Sequence, residues 1–236
     1  MIVEKFYIFF VGTIFGSFAN VVINRTIRQE SIVSPPSHCE KCGHRLYTKD
    51  LIPIISFLFL KGRCRYCKQN ISKDNLILEI IGGLFALVFF DHNYILKSIL
   101  FYFAIMLALI IAIIDLKSYD IYMIQIAVLS IFGFIYRLKI IGFDLLFIKN
   151  VLIFSLIYGA IYYISKNGLG DGDIYYYFAL FLFLDNSKLL YFILISLWLG
   201  AISGGYIAIK NKSTKVEIPF CIYIFISFLI INLPGI

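Results

Sequence analysis

Long apolar runs dominate this sequence and limit what it can fold into. They are separated by charged or glycine-containing segments and cover residues 6–23, 76–90, 95–114, 121–136, 145–164, 174–184, 189–209 and 218–233. Because about 20 apolar residues in a helix cross a bilayer, the pattern predicts an all-α polytopic membrane protein with about eight transmembrane helices. The sixth run is weak, since about eleven apolar residues cross the hydrocarbon core only obliquely or with help from their flanks.

Composition and charge agree with the membrane class. Hydrophobic residues make up 61% of the chain and charged residues only 15%, whereas soluble domains are about half apolar and a quarter charged. The net charge of +7 could suggest nucleic acid, but in a membrane protein Lys and Arg first set the orientation. We therefore expect membrane lipid and not nucleic acid as a partner.

The distribution of basic residues predicts the orientation. Ten of the 21 Lys and Arg lie in residues 25–73, whereas only four acids lie in residues 25–74, so this segment is predicted to be cytoplasmic. The first apolar run exceeds the length of a signal-peptide core, and we predict a retained helix with its N-terminus outside. Alternation then places residues 115–120, 165–173 and 210–217 on the same face, in a multi-pass protein of the cytoplasmic (inner) membrane. It leaves Arg137, Lys139 and Lys149 unexplained.

Four of the five cysteines form two Cys-x-x-Cys pairs within the predicted cytoplasmic segment, namely Cys39/Cys42 and Cys64/Cys67. In a reducing compartment such pairs favour a metal over disulfides. Four thiolates predict a closed, tetrahedral, structural Zn²⁺ site. A module over residues 24–75 has few apolar residues, so metal binding should supply much of its folding free energy. Four unligated thiols are the alternative.

Other residues near or like these ligands receive different predictions. His38 and His44 could substitute as ligands, but with four cysteines present they are predicted to be bystanders. Cys221 lies in the last apolar run and is predicted to be a small buried hydrophobe. Four acidic residues outside the apolar runs could attract a basic peptide, although each could equally be an ordinary solvated charge. They are Glu30, Glu40, Asp50 and Asp120.

Two aspartates lie at the edges of apolar runs. Asp115 follows run 95–114, and Asp173 closes the motif Gly170-Asp171-Gly172-Asp173. An ionisable group at the end of a membrane helix indicates a functional site, although ordinary interface charges are the alternative. Two adjacent carboxyls share one proton, and the ionised group can activate water, as in aspartic proteases. Gly170 and Gly172 would allow a tight bend and close approach of a substrate strand.

Short-range patterns also predict packing and interface positions. The pairs Gly12/Gly16 and Gly200/Gly204 predict close helix packing within one subunit. The consecutive Tyr175, Tyr176 and Tyr177 are predicted to place their hydroxyl groups in the headgroup layer.

An ordered series of motifs resembles the type IV prepilin peptidases. The series opens with Gly16-Ser17-Phe18-Ala19-Asn20-Val21-Val22-Ile23-Asn24-Arg25 and continues with Cys39-Glu40-Lys41-Cys42, Asp50-Leu51-Ile52-Pro53, Gly62-Arg63-Cys64-Arg65-Tyr66-Cys67, Ile71-Ser72, Glu79, Asp115-Leu116, Gly170-Asp171-Gly172-Asp173 and Ile218-Pro219-Phe220. Tyr122 stands where the pattern has Pro, Tyr175 where it often has Lys, and Cys221 where it has Gly.

The resemblance implies roles for particular residues. Asp115 and Asp173 would be the catalytic aspartates, and Cys39, Cys42, Cys64 and Cys67 the zinc ligands. The implied activity is cleavage of the basic leader of prepilins or pseudopilins at the cytoplasmic face. Retention of the cysteine module is similar to members that also N-methylate the new terminus with S-adenosylmethionine. Glu79 is a candidate for methyl transfer or leader binding, with capping or packing as alternatives.

The resemblance also implies a division of the chain into a first transmembrane helix (1–23), a cytoplasmic four-cysteine zinc-binding module (24–75) and a membrane peptidase domain (76–236). Two other functions remain open. One is a peptidase without methyltransferase activity. The other is a zinc-stabilised transporter or scaffold in which the aspartates serve an ion path.

Overall fold

The structure is a computed structural model that describes residues 2–164, 170–211 and 218–234. Over these residues the chain is helical, with short turns and two isolated β-bridges. The α-helices are α1 (Ile2–Ile27), α2 (Ile55–Phe59), α3 (Lys73–Phe89), α4 (Ile95–Ser118), α5 (Met123–Tyr136), α6 (Leu145–Ile164), α7 (Asp173–Phe181), α8 (Asn186–Asn211) and α9 (Cys221–Asn232). A π-helical turn, Arg137–Ile141, extends α5.

Within the described residues, five candidate membrane spans confirm the all-α, multi-pass class. They are Ile2–Ile27, His92–Ser118, Met123–Ile141, Leu145–Ile164 and Asn186–Lys210. The predicted eight spans are not confirmed, because α3, α7 and α9 have only 17, 9 and 12 residues. At a rise of 1.5 Å per residue, α7 is about 14 Å long, which is half of a hydrocarbon core. Residues 165–169 and 212–217, which the orientation prediction uses, lie outside the described residues.

The chain divides into two compact units, Met1–His92 and Asn93–Ile236. In the first unit α1 and α3 pack through glycines. A Cβ atom on Gly12 would lie 2.5 Å from the Gly82 carbonyl oxygen, and one on Gly82 would lie 2.6 Å from the Gly12 oxygen. The two backbones therefore touch, which confirms the predicted packing at Gly12/Gly16. Helix α3 packs against α1 and therefore belongs to the same compact unit. The predicted division into functional segments at residues 23 and 75 stays a prediction.

In the second unit α4 is the buried central helix. Helices α5 and α9 pack against it, and α7 packs against α5 and α9. Tyr176 of α7 donates its hydroxyl to the Ala108 carbonyl oxygen of α4 at 2.9 Å, and the Tyr177 and Ser196 hydroxyls are 2.5 Å apart. Tyr176 and Tyr177 are 0% and 2% exposed. The predicted headgroup position is therefore wrong for these two residues, because their hydroxyls find partners inside the helix bundle.

Arg137 explains one of the basic residues that the orientation rule leaves unexplained. Its side chain is fully buried, and its guanidinium donates to the carbonyl oxygens of Leu184 at 2.9 Å and Phe181 at 3.4 Å. It also lies 3.4 Å from the centre of the Phe147 ring. The last carbonyls of a helix lack partners within the helix, so Arg137 completes the C-terminal end of α7 and is not an orientation signal.

Candidate active site and metal centre

The two cysteine pairs lie on turns with the same local structure. The Cys39 N–H donates to the His44 carbonyl oxygen at 2.9 Å, and the Cys64 N–H donates to the Gln69 oxygen at 2.8 Å. Each turn closes with a β-bridge, His38–Arg45 in one and Arg63–Asn70 in the other. Both also contain a residue with positive φ, Gly43 at 69° and Lys68 at 59°. The chain thus repeats one metal-binding turn.

The four sulfurs of Cys39, Cys42, Cys64 and Cys67 fit a tetrahedral ion. They all lie within 4.8 Å of one another, and the Cys39 and Cys67 sulfurs are 3.9 Å apart. Zinc–sulfur bonds of about 2.3 Å give a tetrahedron with edges of about 3.8 Å. The cluster could therefore hold a metal ion, as predicted.

Charged residues near the cysteines hold the module together. The Asp50 carboxylate accepts from Arg65 Nε at 2.5 Å and from the Tyr66 hydroxyl at 3.1 Å. Arg28 pairs with Glu40 at 2.8 Å. Two of the four acids considered for attracting a basic peptide, Asp50 and Glu40, are thus paired within the module. Glu40 is nevertheless exposed, as are Glu30 and Asp120.

Glu79 lines a cavity of about 330 Å³ in the first unit. The buried Glu79 carboxylate accepts from the Ser17 hydroxyl at 2.8 Å and from the Ile54 backbone N–H at 2.6 Å. Asn20 also lines the cavity. Its amide nitrogen donates to Asn75, but its buried carbonyl oxygen has no partner among residues 2–164, 170–211 and 218–234. A buried polar atom of this kind costs free energy unless a ligand or water satisfies it, so the cavity is suited to a polar ligand.

Asp115 and Asp173 occupy helix ends in the second unit. Asp115 lies in the last turn of α4, where Tyr119, with φ of 60°, donates its N–H to the Asp115 carbonyl oxygen at 2.8 Å and ends the helix. Asp173 is the first residue of α7, where a carboxylate is favoured by the helix dipole. Each aspartate is 6% exposed, whereas the nearby Asp120 and Asp171 are exposed.

One residue, Cys221, contacts both buried carboxyl groups. Its backbone N–H donates to Asp115 Oδ2 at 2.9 Å, and its thiol donates to Asp173 Oδ1 at 3.5 Å. The structure therefore brings the two predicted site aspartates to the same place. Cys221 is buried as predicted, but the sequence reasoning missed these polar contacts. One sequence feature could have pointed to these contacts. Cys221 directly follows the motif Ile218-Pro219-Phe220, at a position where the type IV prepilin peptidase pattern has Gly.

The two predicted glycines provide space beside the acid pair. A Cβ atom on Gly170 would lie 2.7 Å from Asp173 Oδ2, and one on Gly172 would lie 2.6 Å from Ile121 Cδ1. Gly172 has φ of −78°, which any residue can adopt. Glycine is therefore required there because a larger residue would clash with Ile121, and not because the backbone is left-handed. The Tyr158 hydroxyl donates to the Gly170 carbonyl oxygen at 3.0 Å and holds this segment.

The fold and these sites define a polytopic membrane protein with a four-cysteine metal module and a buried pair of aspartates. Two family models match such a chain in succession. The bacterial peptidase A24 N-terminal domain matches residues 10–92, and the type IV leader peptidase family matches residues 101–205. The protein belongs to the type IV prepilin (leader) peptidase family.

Several curated proteins are similar over part of the chain. A prepilin leader peptidase/N-methyltransferase of Myxococcus xanthus is 44% identical over 78 residues, which cover 33% of this chain and 23% of the relative. Proteins of the same name from Klebsiella pneumoniae and Bacillus subtilis are 41% and 40% identical, over 34% of this chain and 39% and 32% of their own lengths. The chain thus matches less than two fifths of each relative. No solved structure matches it.

Proposed function

We propose that this protein is a membrane-embedded aspartic endopeptidase that removes the basic leader of type IV prepilins or pseudopilins. The observation that carries the proposal is the convergence of two buried carboxyl groups, Asp115 and Asp173, on Cys221. Buried acids are costly without a function, and an adjacent pair is suited to sharing one proton. The names of the relatives supply the substrate class.

Over one catalytic cycle, each carboxyl group of such a pair gains one proton and loses one proton. The ionised carboxylate takes a proton from water as the water oxygen bonds to the scissile carbonyl carbon, and the protonated carboxyl gives its proton to the carbonyl oxygen. The C–N bond of this intermediate then breaks. The first carboxyl gives its proton to the leaving amine, and the second takes one back from a hydroxyl group as the new carboxyl C=O forms. The pair returns to its starting state.

The proposed location is the cytoplasmic membrane, with the cysteine module and the acid pair on the cytoplasmic side. The density of basic residues in 25–73 supports this orientation. A prepilin has a basic leader in the cytoplasm and an apolar helix in the bilayer, so its scissile bond lies at the interface, where water is available. We propose that the bound metal is Zn²⁺ in a structural role, because four cysteines leave no open coordination position.

The cavity lined by Glu79 favours a second activity, N-methylation of the new terminus. S-adenosylmethionine would supply the methyl group from a positively charged sulfonium. Glu79 offers a buried carboxylate to a cation, and the Asn20 carbonyl oxygen offers an acceptor that has no partner within the part of the chain that the structure describes. Binding of the leader by the same cavity is the alternative role for Glu79.

Cleavage in a reconstituted membrane tests the peptidase. The protein and a candidate prepilin are placed in one bilayer, and the product is sized and its N-terminus identified. Asp115→Asn and Asp173→Asn should lower the cleavage rate by roughly a thousandfold or more, while the control Asp185→Asn, at an exposed acid of the same unit, should process normally. Normal processing by either buried-acid variant would overturn the peptidase and favour the transporter or scaffold.

Mass spectrometry of the processed pilin tests the second activity. Glu79→Gln should leave cleavage intact and abolish the methyl group on the new terminus, with Asp185→Asn, at an exposed acid, as the control. Reduced cleavage with unchanged methylation would instead assign Glu79 to leader binding. An unmethylated product from the unaltered protein supplied with S-adenosylmethionine would leave a peptidase alone.

A further inference from the structure

Helix α2, between the two cysteine pairs, has two unlike sides. On one side Leu58 and Phe59 are 62% and 85% exposed, and Ile55 is exposed as well. These three side chains share a face because residues three and four apart are neighbours on a helix. The other side lines the cavity of the first unit through Ser56 and Phe57. An apolar face of this kind, in a segment predicted to lie in water, indicates a contact surface.

A hydrogen bond from Ile54 fixes the level of α2 along the neighbouring helices. The Ile54 N–H donates to the Glu79 carboxylate of α3, which also accepts from Ser17 of α1. At 1.5 Å per residue, Glu79 lies about 9 Å from the first residue of α3, and Ser17 lies about 15 Å from the last residue of α1. Helix α1 is a candidate membrane span. Helix α2 therefore begins beside this helix pair and not beyond its ends.

The side chains next to this hydrogen bond on α1 and α3 are apolar and exposed. Phe18 follows Ser17, and Ile77 and Ile80 lie close to Glu79 in α3; all three are exposed. On a helix that crosses a bilayer, such side chains contact lipid. The apolar face of α2 lies at the same level, so lipid is the partner that the structure favours for it.

Basic side chains border α2 in the sequence. Lys49 precedes the helix, Lys61 and Arg63 follow it, and all three are exposed. Long basic side chains beside an apolar surface extend their charged ends to the headgroups, where anionic lipids attract them. An apolar face with a basic border is typical of a helix that lies in the plane of the membrane interface.

We propose that α2 is an interfacial helix that inserts Ile55, Leu58 and Phe59 among the upper acyl chains of the bilayer. Its partner is membrane lipid with anionic headgroups, which Lys61 and Arg63 contact. The opposite side of α2 then separates the cavity of the first unit from the lipid. The inference concerns the membrane and does not depend on the proposed peptidase or methyltransferase activity.

Fluorescence quenching in a bilayer tests this position. Trp198 is the only tryptophan of the sequence, so Phe59→Trp in a Trp198→Phe background gives one reporter on α2. The full chain is placed in vesicles that contain phosphatidylglycerol and lipids with acyl chains brominated close to the headgroup. We expect the Phe59→Trp variant to lose much of its fluorescence to the brominated lipid and little to acrylamide in the water.

Two exposed positions in the same background provide matched references. Ile77→Trp, on α3, should be quenched by the brominated lipid, and Arg45→Trp, on a cysteine turn, should be quenched by acrylamide. All three variants are compared after each is shown to unfold at the temperature of the Trp198→Phe protein.

The behaviour of the Phe59→Trp variant decides between the possible surroundings of α2. Quenching like that of Ile77→Trp supports insertion into lipid, whereas quenching like that of Arg45→Trp would overturn it. Protection from both quenchers would also overturn it, because the side chain would then be covered by protein. Protection from acrylamide that appears only when a prepilin is added would instead assign the surface to the apolar helix of that protein.

Discussion

The two compact units hold their ionisable groups by different means. In the first unit four cysteines lie on short turns, with a few ion pairs around them and little apolar core. In the second unit two aspartates lie at the ends of helices that pack through buried alanine, tyrosine and phenylalanine side chains. A site built on turns needs its ligand to become rigid, whereas a site at helix ends is positioned by helix packing before any ligand binds.

Loss of a proposed zinc ligand should have the largest effect and should affect the first unit only. Cys64→Ser removes a buried thiolate, and a structural zinc contributes on the order of 10 kcal/mol to folding. We expect loss of the ion and rapid proteolysis within residues 28–72, measured by metal analysis and limited digestion. Cys221→Ser makes the same change outside the cluster and should retain one zinc per chain.

The variant Cys64→Ser should also affect the two proposed activities, methylation and cleavage, differently. The Ile54 N–H, which bonds to Glu79, lies between the two cysteine pairs, so Cys64→Ser should abolish methylation. Asp115 and Asp173 lie in the other unit, so cleavage should persist. Retained methylation together with complete loss of zinc would contradict this account of the first unit.

Removal of Arg137 should have the next largest effect and should act on the second unit. Arg137→Met leaves the Phe181 and Leu184 carbonyl oxygens without their donor, and breaking a buried charged interaction costs about 3 kcal/mol or more. We expect a clear fall in thermal unfolding temperature in detergent, without loss of zinc. The exposed Lys139→Ala should change little. An unaltered unfolding temperature for Arg137→Met would show that the α7 end does not depend on this residue.

A smaller effect is expected from Gly16→Ala in the first unit. A Cβ atom there would lie 2.8 Å from the Glu79 Cα atom, so α1 and α3 must separate, at a cost of about 1–3 kcal/mol. Thermal unfolding measures the change, and methylation should fall because Ser17 and Glu79 move apart. Gly159→Ala faces open space and should be neutral or slightly stabilising. Equal stability for the two variants would contradict the observed helix contact.

Much of the fold class could be predicted from the sequence. Hydropathy identified the helical membrane class, and spacing identified the metal cluster, because both depend on residues close together in the chain. The count of eight spans is not confirmed. An apolar run such as 174–184 indicates that the side chains avoid water, but it does not distinguish contact with lipid from burial by other helices. The same ambiguity explains the error at Tyr176 and Tyr177, which are buried by other helices.

Contacts between distant helices could not be predicted in this way. The thiol and amide contacts of Cys221 join α9 to α4 and α7, and the Arg137 contacts join the end of α5 to the end of α7. No pattern of neighbouring residues in the sequence predicts these contacts between helices. Asp115 and Asp173 could be singled out by resemblance, and the structure brings them to one residue, but their catalytic role stays a prediction.

The most direct test of the central claim is a double-mutant cycle on the acid pair. The cleavage rate is measured in reconstituted membranes for Asp115→Asn, Asp173→Asn and the double variant, at equal amounts of folded, zinc-loaded protein. Groups that act as one catalytic unit are strongly non-additive. We predict that each single variant falls to the same residual rate as the double variant. Independent, multiplicative losses, or substantial cleavage by either single variant, would contradict the account.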